Sequence, residues 1–160
     1  MRVKAIVDEW FQDYKKPSMF IATCFCDFKC CHDANIPISV CQNHTLFEKQ
    51  IIDVPAEDII RRYTSNNLTQ AVVIGGLEPM LQFNELMEFI VAFRSKGIDD
   101  DIVVYTGYRE DEVVKEIVAM SFYPNIVVKF GRYIPDRKQH YDSILGVSLA
   151  NDEQFAKRIS

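Results

Sequence analysis

Short apolar runs alternate along this chain with stretches of longer, helical period. Ser18-Met-Phe-Ile-Ala-Thr23, Ala71-Val-Val-Ile74, Asp101-Ile-Val-Val-Tyr105 and Asn125-Ile-Val-Val-Lys-Phe130 are of strand length and mostly apolar, which predicts four buried strands. Pro55-Ala-Glu-Asp-Ile-Ile-Arg-Arg-Tyr63 opens like a helix with proline in its first turn. Residues 80–96 carry Phe83, Leu86, Met87, Ile90 and Phe93 at helical spacing. A further pattern through Val113, Val114, Ile117 and Met120 follows the acidic Arg109-Glu-Asp-Glu112, and carboxylates suit a helix N-terminus. Continuous Val/Ile-rich strands separated by helices imply a parallel sheet joined by right-handed crossovers. The length excludes a full eight-unit barrel, so the expected architecture is α/β: a partial (β/α) barrel or open parallel sheet of about four to six strands with helices outside. Gly75, Gly76, Gly107, Gly131 and Gly146 fall at or just after predicted strands, the edge where parallel α/β folds place ligand loops.

Composition narrows the class. The 160 residues are 48% hydrophobic with no long polar linker, consistent with one domain spanning 1–160. A formal net charge of −5 argues against a nucleic-acid surface, although a local basic patch such as Arg132…Arg137-Lys138 could meet an acidic partner. The N-terminus lacks the apolar core of a signal peptide, and no stretch approaches the roughly 18 apolar residues of a membrane span. A cytoplasmic protein without a membrane partner is expected.

All five cysteines lie between positions 24 and 41. A disulfide framework would spread its bridges to close long loops, whereas a tight cluster in a reducing compartment points to metal. Cys26, Cys30 and Cys41 can supply three thiolates to a 4Fe–4S cluster, leaving one iron open. The same three with His32 or His44 can also form a Cys3His zinc tetrahedron. From the cysteines alone both remain open. Asp27, Lys29, His32, Asp33 and Asn35 make the segment 24–44 too polar for a packed core. Cys24 belongs to the preceding strand and Cys31 points away from its neighbour Cys30, so both are expected to be structural thiols.

Four segments together carry a family likeness. Cys26 and Cys30 are separated by three residues, and Cys41-Gln42-Asn43 closes the cysteine region. Gly75-Gly76-Leu77-Glu78-Pro79 follows the second strand, Tyr105-Thr106-Gly107-Tyr108 the third, and Gly131-Arg132-Tyr133-Ile134 the fourth. In these features, and in Leu145-Gly146-Val147 and Asn151-Asp-Glu-Gln154, the chain resembles the radical S-adenosylmethionine superfamily. Within it the likeness is to the activating proteins of anaerobic ribonucleotide reductase, which are glycyl-radical-enzyme activases. It departs from them in having ten residues rather than two between Cys30 and Cys41, with Asp33 at the usual third position and Val40 in place of an aromatic residue. The eight-residue excess is expected to form a loop. Leu77 is an insertion, and Phe130 replaces an acid.

The resemblance implies a 4Fe–4S cluster on Cys26, Cys30 and Cys41, with S-adenosylmethionine held by Asn43, Gly75, Gly76, Glu78, Thr106 and Gly107. It implies no acid–base side chain, because the cofactors supply the chemistry. Arg132 is placed toward a partner. The implied partners are a glycyl radical enzyme such as anaerobic ribonucleotide reductase and a flavodoxin-like or ferredoxin-like electron donor. Two other readings stand beside it: a radical enzyme acting on a small molecule or peptide, and a non-catalytic iron–sulfur or zinc module.

Overall fold

A computed structural model describes residues 1–160. Along the chain the elements are β1 (Arg2–Val3), β2 (Ala5–Trp10), β3 (Ser18–Ala22), α1 (Lys29–Ala34), α2 (His44–Phe47), β4 (Ile52–Asp53), α3 (Ala56–Thr64) and β5 (Ala71–Gly75). They continue as α4 (Phe83–Ser95), β6 (Asp101–Tyr105), α5 (Val114–Ser121), β7 (Ile126–Phe130), β8 (His140–Asp142), β9 (Val147–Leu149) and β10 (Phe155–Arg158).

The main sheet has six strands in the order β10-β7-β6-β5-β3-β2. The inner four, β3, β5, β6 and β7, are parallel, in the registers Phe20↔Val73, Val73↔Val103 and Val103↔Val127. Each successive unit is laid beside the last in one direction, so crossovers of a single hand put α3, α4 and α5 on the same face. That face holds the larger core, where Ile21, Ile74, Val104 and Val128 meet Ile59 and Tyr63 of α3, Leu86, Phe89, Ile90 and Phe93 of α4, and Met120 of α5. The alternate positions Ala71, Val73, Val103 and Val127 look the other way, against Tyr14, Leu145, Leu149 and Ala156. Burial on both faces is why these strands read as unbroken apolar runs.

The result is an open α/β sheet with peripheral helices. The flanking strands β2 and β10 run antiparallel to β3 and β7. Both are half-exposed edge strands and carry no continuous apolar run. The 80–96 segment divides into a 3-10 turn over Pro79–Gln82 and α4. Residues after Arg109 likewise form a 3-10 turn, Glu110–Glu112, before α5.

Two expectations are corrected. The excess between Cys30 and Cys41 is not an open loop: α1 ends at Asn35 in a left-handed conformation, and Ile38–Val40 forms a 3-10 turn. Gly146 does not sit at the ligand edge. It turns the chain between β8 and β9, where Gly146 lies against Lys15, ahead of β3. No helix is long and apolar enough to cross a membrane.

Candidate cluster and ligand site

Parallel strands end at one edge, and at that edge a cavity of ≈ 150 Å³ opens. Five sections of chain build it: the cysteine segment, the loops after β5 and β6, the end of β7 with the residues that follow it, and Gln154 just ahead of β10. Of the residues expected to act there, Cys26, Cys30, Cys41, Asn43, Gly76, Glu78, Thr106 and Gly107 all line it. Gly75 does not. It ends β5 with its α-carbon against the Tyr105 side chain, so that an added Cβ would lie 2.9 Å from Tyr105 Cβ.

The cysteine segment is fastened at several points. The Glu78 backbone N–H donates to Phe25 O at 2.7 Å, and the Tyr108 hydroxyl donates to Asp27 Oδ2 at 2.6 Å. Asn43 Nδ2 donates to Gly76 O at 2.5 Å, tying the stretch after Cys41 to the glycine turn. Phe28 adopts a left-handed backbone conformation with φ 54°, and its N–H donates to Cys26 Sγ at 3.3 Å. That donation stabilises a thiolate, but burial dominates and pushes the Cys26 thiol up to about 12, with Glu78 and Asp27 adding to the rise. Burial also raises Cys30, against the opposing pull of the Tyr133 N–H, Arg132 and Lys129. Metal binding would deprotonate both thiols and release their protons.

Arg132 is not a partner-facing residue. It is 2% exposed, because three acceptors surround it: Nε donates to Asp33 Oδ2 at 2.9 Å, Nη2 to Glu112 Oε1 at 2.7 Å, and Nη1 to Gly107 O. The guanidinium also lies over the Tyr108 ring. Asp33 is thereby committed to an ion pair that locks α1 against the loop after β6.

Glu78 is 5% exposed. Its Oε1 accepts from Met80 N at 3.0 Å and Thr106 Oγ1 at 2.7 Å, and its Oε2 accepts from Gly107 N at 2.8 Å. Burial nevertheless pushes its carboxyl up to about 7. A carboxylate has about four acceptor positions, so one is left for a further donor. Gly107 also passes close to Cys30, where an added Cβ would be 2.9 Å from Sγ.

Lys129 escaped the sequence reading. It is 6% exposed, lines the cavity, and donates from Nζ to Gly131 O at 3.0 Å. No carboxylate lies within salt-bridge distance, and burial lowers its pKa to about 8. The available signal was a lysine inside the otherwise apolar Ile126–Phe130. Tyr105, Tyr133 and Gln154 also line the cavity without having been anticipated. A second cavity of ≈ 390 Å³ adjoins it through Gln42, Asn43, Gly76, Tyr105, Lys129 and Gln154. Its far wall is Trp10 stacked on Phe20 at 5.0 Å.

Cys24 is buried outside the cavity, with its N–H donated to Gln82 Oε1. Cys31, expected to point away, instead lines the same cavity as Cys26, Cys30 and Cys41. Neither His32 nor His44 lines it, and no three His, Cys, Asp or Glu side chains converge to hold one metal ion. A cubane makes a different demand, with each thiolate bound to its own iron. Thiols distributed around one cavity fit that donor arrangement.

Residues 16–150 match the family model described as a 4Fe-4S single cluster domain. No curated protein and no solved structure matches the chain.

Proposed function

The chain belongs to the 4Fe-4S single cluster domain family, and from that premise we propose that it is a radical S-adenosylmethionine enzyme of the glycyl-radical activase kind. Its cluster is held by Cys26, Cys30 and Cys41. The observation that carries the reading is the convergence of the cysteine segment, Gly76-Leu77-Glu78, Thr106-Gly107 and Lys129 on one cavity at the strand ends. When bound, the reduced cluster would supply the electron that splits S-adenosylmethionine into methionine and a 5′-deoxyadenosyl radical.

The chain's own residues bind and orient. Glu78, with one acceptor position free, takes the amino group of the methionine part, and Lys129, buried without a carboxylate partner, takes its carboxylate. Gly76 keeps the backbone at the cavity free of a side chain, with Asn43 bracing its carbonyl. The adjoining cavity is large enough for a nucleoside and offers an apolar wall at Trp10 and Phe20. Enclosure by Tyr105, Tyr133 and Leu77 keeps water from the reacting atoms. A macromolecular substrate such as a glycyl radical enzyme would close the open side of the cavity.

The test is anaerobic reconstitution with iron and sulfide, reduction with S-adenosylmethionine present, and chromatography for 5′-deoxyadenosine. Electron paramagnetic resonance of a mixture with the candidate reductase then looks for a glycyl radical. Serine at Cys26, Cys30 or Cys41 should remove the cluster and the product together. A reducible cluster that cleaves nothing would refute the radical reading and leave an iron–sulfur binding module. Cleavage without a protein radical would point to a small-molecule or peptide substrate.

A further inference from the structure

Two cysteines outside the proposed ligand set are equally buried at 2% exposure, yet their surroundings differ. Around Cys24 the titratable neighbours are Lys4, Glu85, Arg2 and the N-terminus. Around Cys31 they are Cys41 and Cys30. Cys31 occupies α1 next to Cys30, lines the cavity with Cys26, Cys30 and Cys41, and so makes a fourth thiol where three are needed.

Its placement follows from local structure. The left-handed Phe28 starts α1, and the Cys31 and His32 N–H groups both donate to Phe28 O. The Ile36 N–H then returns to Cys31 O, and the Cys41 N–H to Ile38 O. The short helix and the 3-10 turn therefore fold Cys41 back beside Cys31. The ten intervening residues thus leave Cys31 and Cys41 on one cavity.

Three protein thiolates leave one iron of a cubane without a protein ligand. We propose that Cys31 ligates that fourth iron while no S-adenosylmethionine is bound, and yields it when the cosubstrate arrives. The inference rests on the cluster reading above. As the iron–sulfur bond forms, the Cys31 thiol releases its proton to solvent. When the carboxylate and amino groups of the cosubstrate take the iron, that bond breaks, and the proton the ammonium loses on coordinating balances the one the Cys31 sulfur regains. No electron moves in either direction. The fourth thiolate would keep the resting cluster from losing its otherwise exposed iron.

The test uses the full chain, reconstituted anaerobically with iron and sulfide, with both counted. Ferricyanide oxidation without S-adenosylmethionine is followed by spin quantitation of the 3Fe–4S signal, which reports loss of an iron lacking a cysteine ligand. Wild-type protein should convert little. Cys31→Ala and Cys31→Val should each convert on the order of threefold more, while Cys24→Ala should match wild type. Ready conversion of the wild-type protein overturns the proposal whatever the variants do, as does equal conversion in wild type and both Cys31 variants. Wild-type protein that takes up zinc but neither iron nor sulfide would instead overturn the cluster reading itself.

Discussion

Replacing Lys129 by methionine should make the cluster-free chain more stable at neutral pH and less able to hold its ligand. Methionine keeps most of the apolar stem and removes the buried ammonium. Burial moves the Lys129 pKa from 10.5 to about 8, which corresponds to roughly 3 kcal/mol against the charged form in the folded state. The substitution also removes the Nζ hydrogen bond to Gly131 O, worth about 1.5–2 kcal/mol, the low end of the range for a charged donor. Gly131 O retains a contact from Gln154 Nε2 at 3.5 Å, so it is not left bare. The net gain is about 1–2 kcal/mol, or a Tm higher by roughly 4 °C at pH 7.

The sign of the pH dependence is set by which state holds the proton. Below about 8 both folded and unfolded chains carry the charged lysine, and the full penalty applies. Between about 8 and 10.5 the unfolded chain keeps a proton that the folded chain has lost, so wild-type stability rises with pH across that window relative to the variant. Above it the penalty is gone and the order reverses, the variant being less stable than wild type by the lost hydrogen bond. Circular-dichroism melts of both proteins at several pH values measure the difference directly. A variant less stable than wild type at pH 7, or a gap that stays constant from pH 7 to 10.5, would refute the account of Lys129 as a destabilised buried cation. On the reconstituted protein, S-adenosylmethionine should raise the Tm of wild type more than that of Lys129→Met.

Glu78 must be ionised to accept from the amino group, so affinity for S-adenosylmethionine should fall about tenfold per pH unit below about 7 and level off above it. Glu78→Gln should flatten that profile in an anaerobic titration. Gly76 has φ +83°, and an added Cβ would lie 2.7 Å from Leu46 Cδ2. Gly76→Val should therefore cost about 2 kcal/mol in urea unfolding and weaken ligand binding, and unchanged affinity would count against the placement. Arg132→Met leaves Asp33 and Glu112 able to rehydrate, since both are partly exposed. A loss of about 2 kcal/mol and faster iron release from the reconstituted protein are expected, whereas wild-type stability would show that the buried guanidinium does not brace α1.

The parallel sheet and its helices were legible because their residues carry period and burial in every position. Ile126–Phe130 is buried throughout and Asp101–Tyr105 in all but its last residue, and α4 presents Leu86, Phe89, Ile90 and Phe93 to the core on one stripe. Edge strands were not legible. In β2 half-buried and exposed residues alternate from Val7 on, and a register shift falls between Val7 and Trp10. The segments β8, β9 and β10 are three or four residues each, too short to show a period. The anchor that assembles them, Asp142, accepts from Ile144 and Leu145 N–H on one oxygen and from Ala156 N–H on the other. Such a role depends on residues brought close by folding.

At the site the division is similar. The number of thiols, their spacing, and the glycine and threonine turns at strand ends are properties of neighbouring residues, and the linear order carries them. Which thiols share a cavity depends on where α1 and the turn after it carry the chain, and that placed Cys31 inside and Cys24 outside. Arg132 reads as a surface cation until Asp33 and Glu112 close around it from positions 99 and 20 residues away. Lys129 reads as one polar residue in an apolar strand, and its meaning arises from low-dielectric surroundings without a carboxylate partner. Local geometry is written in local sequence, whereas burial, charge pairing and the shape of a cavity are sums over segments that meet only in the folded chain.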